Sequence, residues 1–213
     1  MNIATPGSHN RSSSFRPDDD HYPTPRAAII PLMRTLALPP HIWEPACGEG
    51  HIAETMRDYG YQVEATTLVD RGYGETGIDF LTEREARAKV IITNPPFSLD
   101  EEFVLHAMSL GVDLAIFFLS IKWLCGGDRY RRIMGPTPPC LVMPFIERIK
   151  FFAGDTPEAD QPGWNTQDFA WFVWRRLPNG KYFKGAPTIA WLSRDDGDQS
   201  DLFRPEISVA GAA

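Results

Sequence analysis

The sequence has 213 residues, of which 43% are hydrophobic and 12% aromatic, so it is long enough for one substantial hydrophobic core and too short for two. The formal net charge of −7 argues against tight, sequence-blind binding to a polyanion, which requires dense Lys and Arg. The three cysteines form no CxxC pair and no ligand spacing with the five histidines, which argues against a disulfide framework and a zinc site and predicts no bound metal.

Targeting and membrane segments are not indicated by the sequence. The longest apolar stretch, at 112–124, is shorter than the ~18 residues of a membrane helix and carries two charged residues. The N-terminus lacks the apolar core of a signal peptide. We therefore expect a cytoplasmic protein without a membrane partner, with a disordered tail over 1–20, one domain over 21–195 and a flexible tail over 196–213.

The segments between residues 22 and 120 alternate between helical patterns and short apolar runs, which indicates an α/β domain with a mostly parallel sheet. The predicted helices lie at 25–38, with an internal Pro31, at 50–60, and at 98–111, where Ser98 is the expected N-cap and Gly111 the stop. The predicted strands lie at 41–45, 62–70, 76–80, 90–93 and 113–120.

The last third of the domain is rich in aromatic residues. Strands are predicted at 146–152 and 168–176, and the Asn-Gly pair at 179–180 is typical of a tight hairpin that feeds a final strand. This pattern favours an antiparallel edge on the otherwise parallel sheet. Between the two strands, the segment 153–167 is a long loop, and long loops in compact domains are often functional.

The run TNPPF at 93–97 follows the apolar strand predicted at 90–93. Its two prolines could simply end the strand, because proline has no N–H to donate and disfavours a helical residue before it. That reading does not account for an Asn at the carboxyl end of a strand, where ligands bind in open α/β sheets. The side-chain carbonyl of Asn94 and the main-chain carbonyl of Pro95 are two acceptors that could receive hydrogen bonds from one planar amine.

Such an amine needs help before it can react. The lone pair of an exocyclic amine on adenine, cytosine or an amide is delocalised, and paired acceptors favour the localised, sp³-like geometry that attack requires. Phe97 could stack on the planar group, and stacking of a base on an aromatic ring is worth ~1–3 kcal/mol. The run therefore indicates a site for a planar amine.

A glycine-rich turn, EPACGEG at 44–50, follows one predicted strand and opens a helix. Gly48 and Gly50 would let the backbone approach a ligand, and the helix start offers free N–H groups. An ordinary strand-to-helix turn and a nicotinamide-nucleotide loop are the alternatives, although Ala53 stands where GxGxxG has its third glycine. Asp70 ends the next predicted strand, where a nucleotide-binding α/β fold places the carboxylate that accepts both ribose hydroxyls; a solvated cap is the alternative.

Together these stretches resemble the amino-methyltransferases that use S-adenosylmethionine. NPPF at 94–97 resembles their Asn/Asp-Pro-Pro-aromatic motif in its N6-adenine form, and EPACGEG resembles their cofactor loop. YPTP at 22–25 is similar to their Tyr-x-Thr-Pro segment. The likeness covers about residues 22–192, is strongest in the first half, and is closest to compact members of phage and prophage type. It implies the cytoplasm of a bacterium or of a phage-infected host.

The resemblance implies a Rossmann-like class I methyltransferase fold: a mostly parallel seven-stranded sheet with an antiparallel edge and helices on both faces. It implies S-adenosylmethionine as the cofactor and no metal. The implied cofactor-binding residues are Tyr22, Thr24, Glu44, Pro45, Ala46, Cys47, Gly48, Gly50, Asp70, Asp79, Phe80 and Asn94. Between the two aspartates, position in the chain favours Asp70. Two departures from the family are His51 and Ile52, where many relatives carry an aromatic residue, and a length that leaves no room for a separate target-recognition domain.

The implied activity is methyl transfer to the N6 amine of adenine in DNA, with the base flipped out of the duplex. The implied catalytic residues are Asn94, Pro95, Pro96 and Phe97. The expected substrate-binding residues are Phe97, Lys122, Arg148, Phe151 and Phe152. Further phosphate contacts are expected from Arg129, Arg131, Arg132 and Lys150, although short Arg runs are more often solvated faces.

Other functions remain open at this stage. The acceptor could be an RNA adenine or the amide of a protein glutamine, although glutamine methyltransferases usually carry Tyr in place of Phe97. The chain could also be a non-catalytic nucleic-acid-binding module of the same fold, against which the intact Asn94, Gly48 and Asp70 weigh. The recognised site and the oligomeric state stay undetermined, and three tryptophans could form a dimer face or core: Trp171, Trp174 and Trp191.

Overall fold

The computed structural model describes residues 23–150 and 168–194, which form an eight-stranded sheet with helices on both faces. The strands are β1 (His41–Glu44), β2 (Gln62–Thr67), β3 (Glu75–Thr76), β4 (Val90–Thr93), β5 (Leu114–Ser120), β6 (Leu141–Pro144), β7 (Phe169–Arg175) and β8 (Thr188–Ile189). The α-helices are α1 (Arg26–Thr35), α2 (His51–Asp58), α3 (Asp100–Ser109) and the short α4 (Gly127–Arg129). Among the described residues there are also two 3₁₀ turns, at Phe80–Thr82 and Ile121–Leu124, and one π-helical turn, at Tyr130–Met134.

The strand order is β3-β2-β1-β4-β5-β7-β6-β8. Neighbouring strands pair in parallel except at β7, which is antiparallel to both β5 and β6. The prediction of a mostly parallel, Rossmann-like sheet with antiparallel pairing toward one side is therefore confirmed. The sheet has eight strands rather than the predicted seven, and the antiparallel strand lies between β5 and β6.

Two apolar layers cover the sheet. Alternate residues of β5 point to opposite faces, so Leu114, Ile116 and Phe118 pack with α1 and α2 while Ala115 and Phe117 pack with α3. Burial on both faces explains why this strand is continuously apolar in the sequence. The indole N–H of buried Trp171 also donates to the carbonyl of Ala28 at 2.8 Å, which joins β7 to α1.

Helix boundaries follow the predictions in part. α1 runs through Pro31, as predicted, and begins after Pro25, which takes the N-cap position. Ser98 as N-cap of α3 is wrong, because the amide of Leu99 donates to the carbonyl of Pro96 and this turn delays the helix start to Asp100. Gly111 ends that helix as predicted, with a positive φ of 69°.

Three strand predictions are corrected. Residues 146–150 of the strand predicted at 146–152 form no strand, and 151–152 lie outside the described residues. The strand in this region is β6, because the buried run Leu141–Met143 pairs with β7 whereas Ile146 is 67% exposed. The strand predicted at 62–70 ends at Thr67, and the following Leu68 and Val69 are exposed. The strand edge predicted at 76–80 is limited to β3, since Asp79 caps a 3₁₀ turn.

The hairpin at Asn179–Gly180 is confirmed by the hydrogen bond from the Leu177 amide to the Lys181 carbonyl. Trp171 and Trp174 belong to the core, whereas Trp191 is 63% exposed. The tails predicted at 1–20 and 196–213 and the loop predicted at 153–167 lie outside the described residues. Within residues 23–150 and 168–194, none of the helices has the length and apolar character needed to cross a membrane.

Candidate active site

An open cleft lies at the carboxyl ends of β1, β2 and β4. It contains about 940 Å³ of empty space, counting the open solvent at its mouth. Its main lining segments are 23–24, 44–48, 67–69, 78–80 and 94–97. The cleft therefore brings the predicted glycine turn and the predicted amine-binding motif together on one surface.

The glycine turn is shaped by backbone geometry. Gly48 and Gly50 have positive φ angles of 54° and 87°, and the amide of Gly50 donates to the carbonyl of Cys47 at 2.7 Å. The amide of Cys47 donates in turn to the carbonyl of Thr66 on β2 at 3.0 Å. A Cβ atom on Gly50 would lie 2.4 Å from the ring of Tyr73, so only glycine fits there. Gly50 stands before α2 and is outside the cleft lining, whereas Gly48 belongs to it.

Glu44 is a buried carboxyl group in the wall of the cleft. It is 2% exposed, and its Oε2 atom has no hydrogen-bond partner among the described residues. Burial raises its pKa well above the usual value, although a hydrogen bond from the Ala53 amide and the positive charge of Arg57 both oppose that rise. A cation entering the cleft would stabilise the ionised form of this carboxyl group.

Cys47 is held behind the turn. Its Sγ atom lies 3.7 Å from the carbonyl oxygen of Tyr73, and burial together with the nearby Glu44 raises the pKa of the thiol to about 12. The thiol is therefore protonated at neutral pH and acts as a small apolar filler. Pro45 and Ala46 complete this segment of the lining.

The two predicted aspartates occupy different places. Asp70 is exposed, its Oδ1 accepts from the Gly72 amide at 2.9 Å, and it is outside the cleft lining. Asp79 lies in the lining, and its Oδ1 accepts from the Leu81 amide at 3.0 Å. The end of β2 presents Thr67, which is buried and lines the cleft. The structure therefore brings Asp79, and not the favoured Asp70, to the cleft.

Phe80 lies beside Asp79 and anchors this end of the cleft. Its ring is 2% exposed and meets Trp43 at a centroid distance of 5.2 Å and Phe103 at 4.8 Å. These contacts fix the 3₁₀ turn against the face of the sheet that α3 covers. The aspartate that caps the turn is thereby held at the cleft.

Asn94 to Phe97 form another part of the cleft wall. Asn94 is half-buried, Pro95 is buried, and all four residues of the motif line the cleft. The ring of Phe97 packs against Phe169 at a centroid distance of 5.8 Å and an angle of 31°, and Phe169 stacks on Phe118 at 5.2 Å. Phe97 is thus the cleft end of a row of aromatic rings that continues into the core.

The predicted phosphate contacts lie outside the cleft lining, and most are already paired. Arg129 and Arg132 both bind Glu101, at 3.0 and 2.9 Å, and Arg129 also lies 4.6 Å from the ring centre of Trp123. Arg131 pairs with Asp128, and Arg148 pairs with Asp168 at 3.2 Å. Lys122 and Lys150 are exposed. Contact between these side chains and phosphate stays a prediction.

Some predicted site residues have no described position: Tyr22, Phe151 and Phe152. Some residues that line the cleft or pack behind it were not predicted from the sequence. Thr67 could have been found as the last residue of a parallel strand, where ligands bind. Tyr73, Arg57 and Phe169 gave no local signal, because each acts through contacts with residues distant in sequence. Among residues 23–150 and 168–194, no group of three His, Cys, Asp or Glu side chains could hold a metal ion.

Comparisons with known proteins agree with the fold. No protein-family model matches the sequence, and no curated protein does. The modification subunit of a type I restriction enzyme from Vibrio vulnificus is similar in structure, with a TM-score of 0.51, 14% identity, and coverage of 83% of this chain and 47% of that chain. The methyltransferase subunit of the type I restriction-modification system from Streptococcus thermophilus is also similar, with a TM-score of 0.52, 12% identity, and coverage of 82% of this chain and 47% of that chain.

The M protein of the type I restriction enzyme EcoKI is also similar, with a TM-score of 0.50, 14% identity, and coverage of 82% of this chain and 49% of that chain. The chain spans about half the length of these three structures. At such identities the likeness establishes the fold: this chain has the Rossmann-like class I methyltransferase fold.

Replacement of Gly50 by Ala tests the packing behind the turn. We expect Gly60→Ala, at φ 88° with no atoms within 4 Å, to lower the free energy of unfolding by about 1–2 kcal/mol through backbone strain alone. Gly50→Ala, at φ 87°, should cost more because its Cβ meets Tyr73. In a Tyr73→Ala background the extra cost should disappear. Urea denaturation of wild type, the three single variants and the Gly50→Ala/Tyr73→Ala double variant measures these costs, and equal costs at the two glycines would contradict the packing described.

Replacement of Glu44 by Gln tests the buried carboxyl group. Because the folded pKa is raised, Glu44 contributes most stability below its unfolded pKa and loses that contribution as pH rises through the folded value. The free energy of unfolding of Glu44→Gln, relative to wild type, should therefore increase as the pH rises from about 5 to about 8. Denaturant unfolding of both proteins across this pH range measures the difference in their free energies of unfolding. The exposed Glu102→Gln is the control, and a Glu44→Gln difference as flat as that control would contradict the burial.

Proposed function

We propose that this chain transfers a methyl group from S-adenosylmethionine to the N6 amine of adenine in DNA, with the target base flipped out of the duplex. One observation carries the proposal: the Asn94–Phe97 motif and the glycine turn at 44–50 line the same cleft. Each stretch alone can be explained as an ordinary structural turn. Their position in one cleft is explained by methyl transfer, because the methyl donor and the planar amine must lie next to each other for the reaction.

The cleft fits an adenosine nucleoside that carries a cationic amino-acid chain. Glu44 offers a buried carboxyl group and Thr24 a buried hydroxyl group, and both suit an amino-acid headgroup. Asp79 and Phe80, which also line the cleft, offer an acceptor and an apolar surface that suit a purine. S-adenosylmethionine, when bound, supplies an electrophilic methyl group on its sulfonium. The chain supplies the orientation of the ligand.

The amine is held by the motif. The Asn94 carboxamide and the Pro95 carbonyl would accept its two protons and favour the nucleophilic geometry, since the adjacent prolines restrict the backbone that presents them. The ring of Phe97 would stack on the base, and Phe169 behind it limits its rotation. This arrangement acts on a base only outside the helical stack, so it requires flipping or a single strand.

DNA is the acceptor favoured by the available observations. Phe rather than Tyr follows the two prolines, as in the N6-adenine branch that the motif resembles. Three structures with a similar fold are modification or methyltransferase subunits of type I restriction enzymes. Since Arg129, Arg132 and Arg148 are already ion-paired, we expect weak, salt-sensitive binding to duplex DNA.

Replacement of Asn94 by Ala tests the proposal. Incubation of duplex DNA with wild-type protein and methyl-labelled S-adenosylmethionine should yield labelled N6-methyladenine, detected by mass spectrometry of nucleosides. Asn94→Ala should lower the rate by about 100-fold or more, because it removes one of two oriented acceptors. Asn179→Ala, in the exposed hairpin turn, is the matched control and should keep the wild-type rate.

Parallel reactions with RNA and with a protein extract separate the alternatives. Label found only in RNA adenine or in protein glutamine would replace DNA with that acceptor. Binding of S-adenosylmethionine without transfer to DNA, RNA or protein would favour a non-catalytic module. Equal DNA methylation by wild type and Asn94→Ala would contradict the role assigned to the motif.

A further inference from the structure

Arg57 on α2 joins the glycine turn to the segment that follows β2. Its Nη1 atom donates to the hydroxyl group of Tyr73, and its Nη2 atom donates to the carbonyl of Val63 at 2.6 Å. The guanidinium carbon also lies 5.6 Å from the centre of the Tyr73 ring. One side chain thus fixes both the position and the orientation of that ring. Neither Arg57 nor Tyr73 lines the cleft.

The fixed ring supports the turn from outside the cleft. Tyr73 occupies the space in which a side chain on Gly50 would lie. The next residue, Gly74, has a φ of 73°, and a Cβ atom there would lie 2.7 Å from both the Ala65 carbonyl oxygen and the Cys47 sulfur. The chain after β2 is therefore packed closely on the turn, and Arg57 holds it in place.

Arg57 also acts on the charge of the cleft wall. Five ionisable groups influence one another here: Glu44 and Cys47 at the turn, Glu54 and Arg57 on α2, and Tyr73 after β2. Arg57 is the cation among them. Its positive charge opposes the rise in the pKa of Glu44 that burial causes, so it favours the ionised carboxyl group.

We propose that Arg57 is a positioning residue for the cofactor turn: it holds Tyr73 against Gly50 and supplies the positive charge that acts on Glu44 in the cleft wall. The proposal rests on the function proposed above, because the ligand assumed is S-adenosylmethionine, whose amino-acid end carries an ammonium group. A purely structural brace would affect affinity equally at every pH. A residue that also tunes Glu44 must change how affinity depends on pH.

Calorimetric titration of the full chain with S-adenosylmethionine between about pH 5 and about pH 7, where the amino group of the ligand keeps its proton, tests this. Wild-type affinity should increase as Glu44 loses its proton. Arg57→Met removes the charge, so its increase should move to higher pH, and affinity at neutral pH should fall roughly tenfold for every pH unit by which the profile moves. Arg57→Lys and Tyr73→Phe keep the charge and lose hydrogen bonds, so they should weaken binding at every pH without moving the profile. Arg84→Met, at an exposed site, should match wild type.

5′-Methylthioadenosine provides a second readout, since it keeps the nucleoside and lacks the ammonium group. Its affinity should be independent of pH for wild type and for Arg57→Met. If wild type fails to bind S-adenosylmethionine, the proposed function fails. If wild type binds S-adenosylmethionine and the pH dependence of affinity is the same in Arg57→Met, the role proposed for Arg57 is wrong while the proposed function stands. The same conclusion follows if Arg57→Met binds more tightly than wild type because a repelling cation was removed. Should Arg57→Met not fold, a moved profile in Arg57→Lys would equally contradict the proposal.

Discussion

The parallel pairing of β1 with β4 is the constraint on which the rest of the structure depends. Trp43 lies opposite Ile91, so the two strands end at the same edge of the sheet, with Glu44 at one end and Asn94 just beyond the other. Parallel neighbours send their following loops to one side. Any chain with this strand order must place the glycine turn beside the proline motif, whatever fills the remainder of the sheet.

That edge carries features that would destabilise an isolated segment. A carboxyl group is buried, two glycines adopt left-handed backbone conformations, and the chain after β2 leaves no space for a side chain at Gly50. Such groups persist when the surrounding structure over-determines them. The apolar layers on both faces of the sheet do so here, together with directional bonds such as the one from Trp171 to the Ala28 carbonyl. The core therefore holds the strand ends still while the cleft carries polar groups.

The sequence alone was sufficient for the parts of the fold that depend on local patterns. Apolar runs predicted β4 and β5, and Gly111 predicted a helix end. The sequence-based prediction was wrong where the apolar pattern continued beyond the last paired residue of a strand. Leu68 and Val69 have the residue types of a strand, but β2 ends at Thr67, where its pairing with β3 also ends. Asp70 was consequently favoured at the cleft, which Asp79 reaches instead through a capped 3₁₀ turn. The Arg57–Tyr73 contact could not be predicted, because no local spacing encodes it.

The central claim is that the glycine turn and the Asn94 motif serve one ligand-binding cleft, and a crystal structure of the protein with S-adenosylhomocysteine tests it most directly. The account predicts electron density for the ligand between the turn at 44–50 and the segment 78–80, with the thioether sulfur facing Asn94 and Pro95. A nucleoside bound elsewhere on the chain, or one whose sulfur faces away from Asn94, would contradict the account.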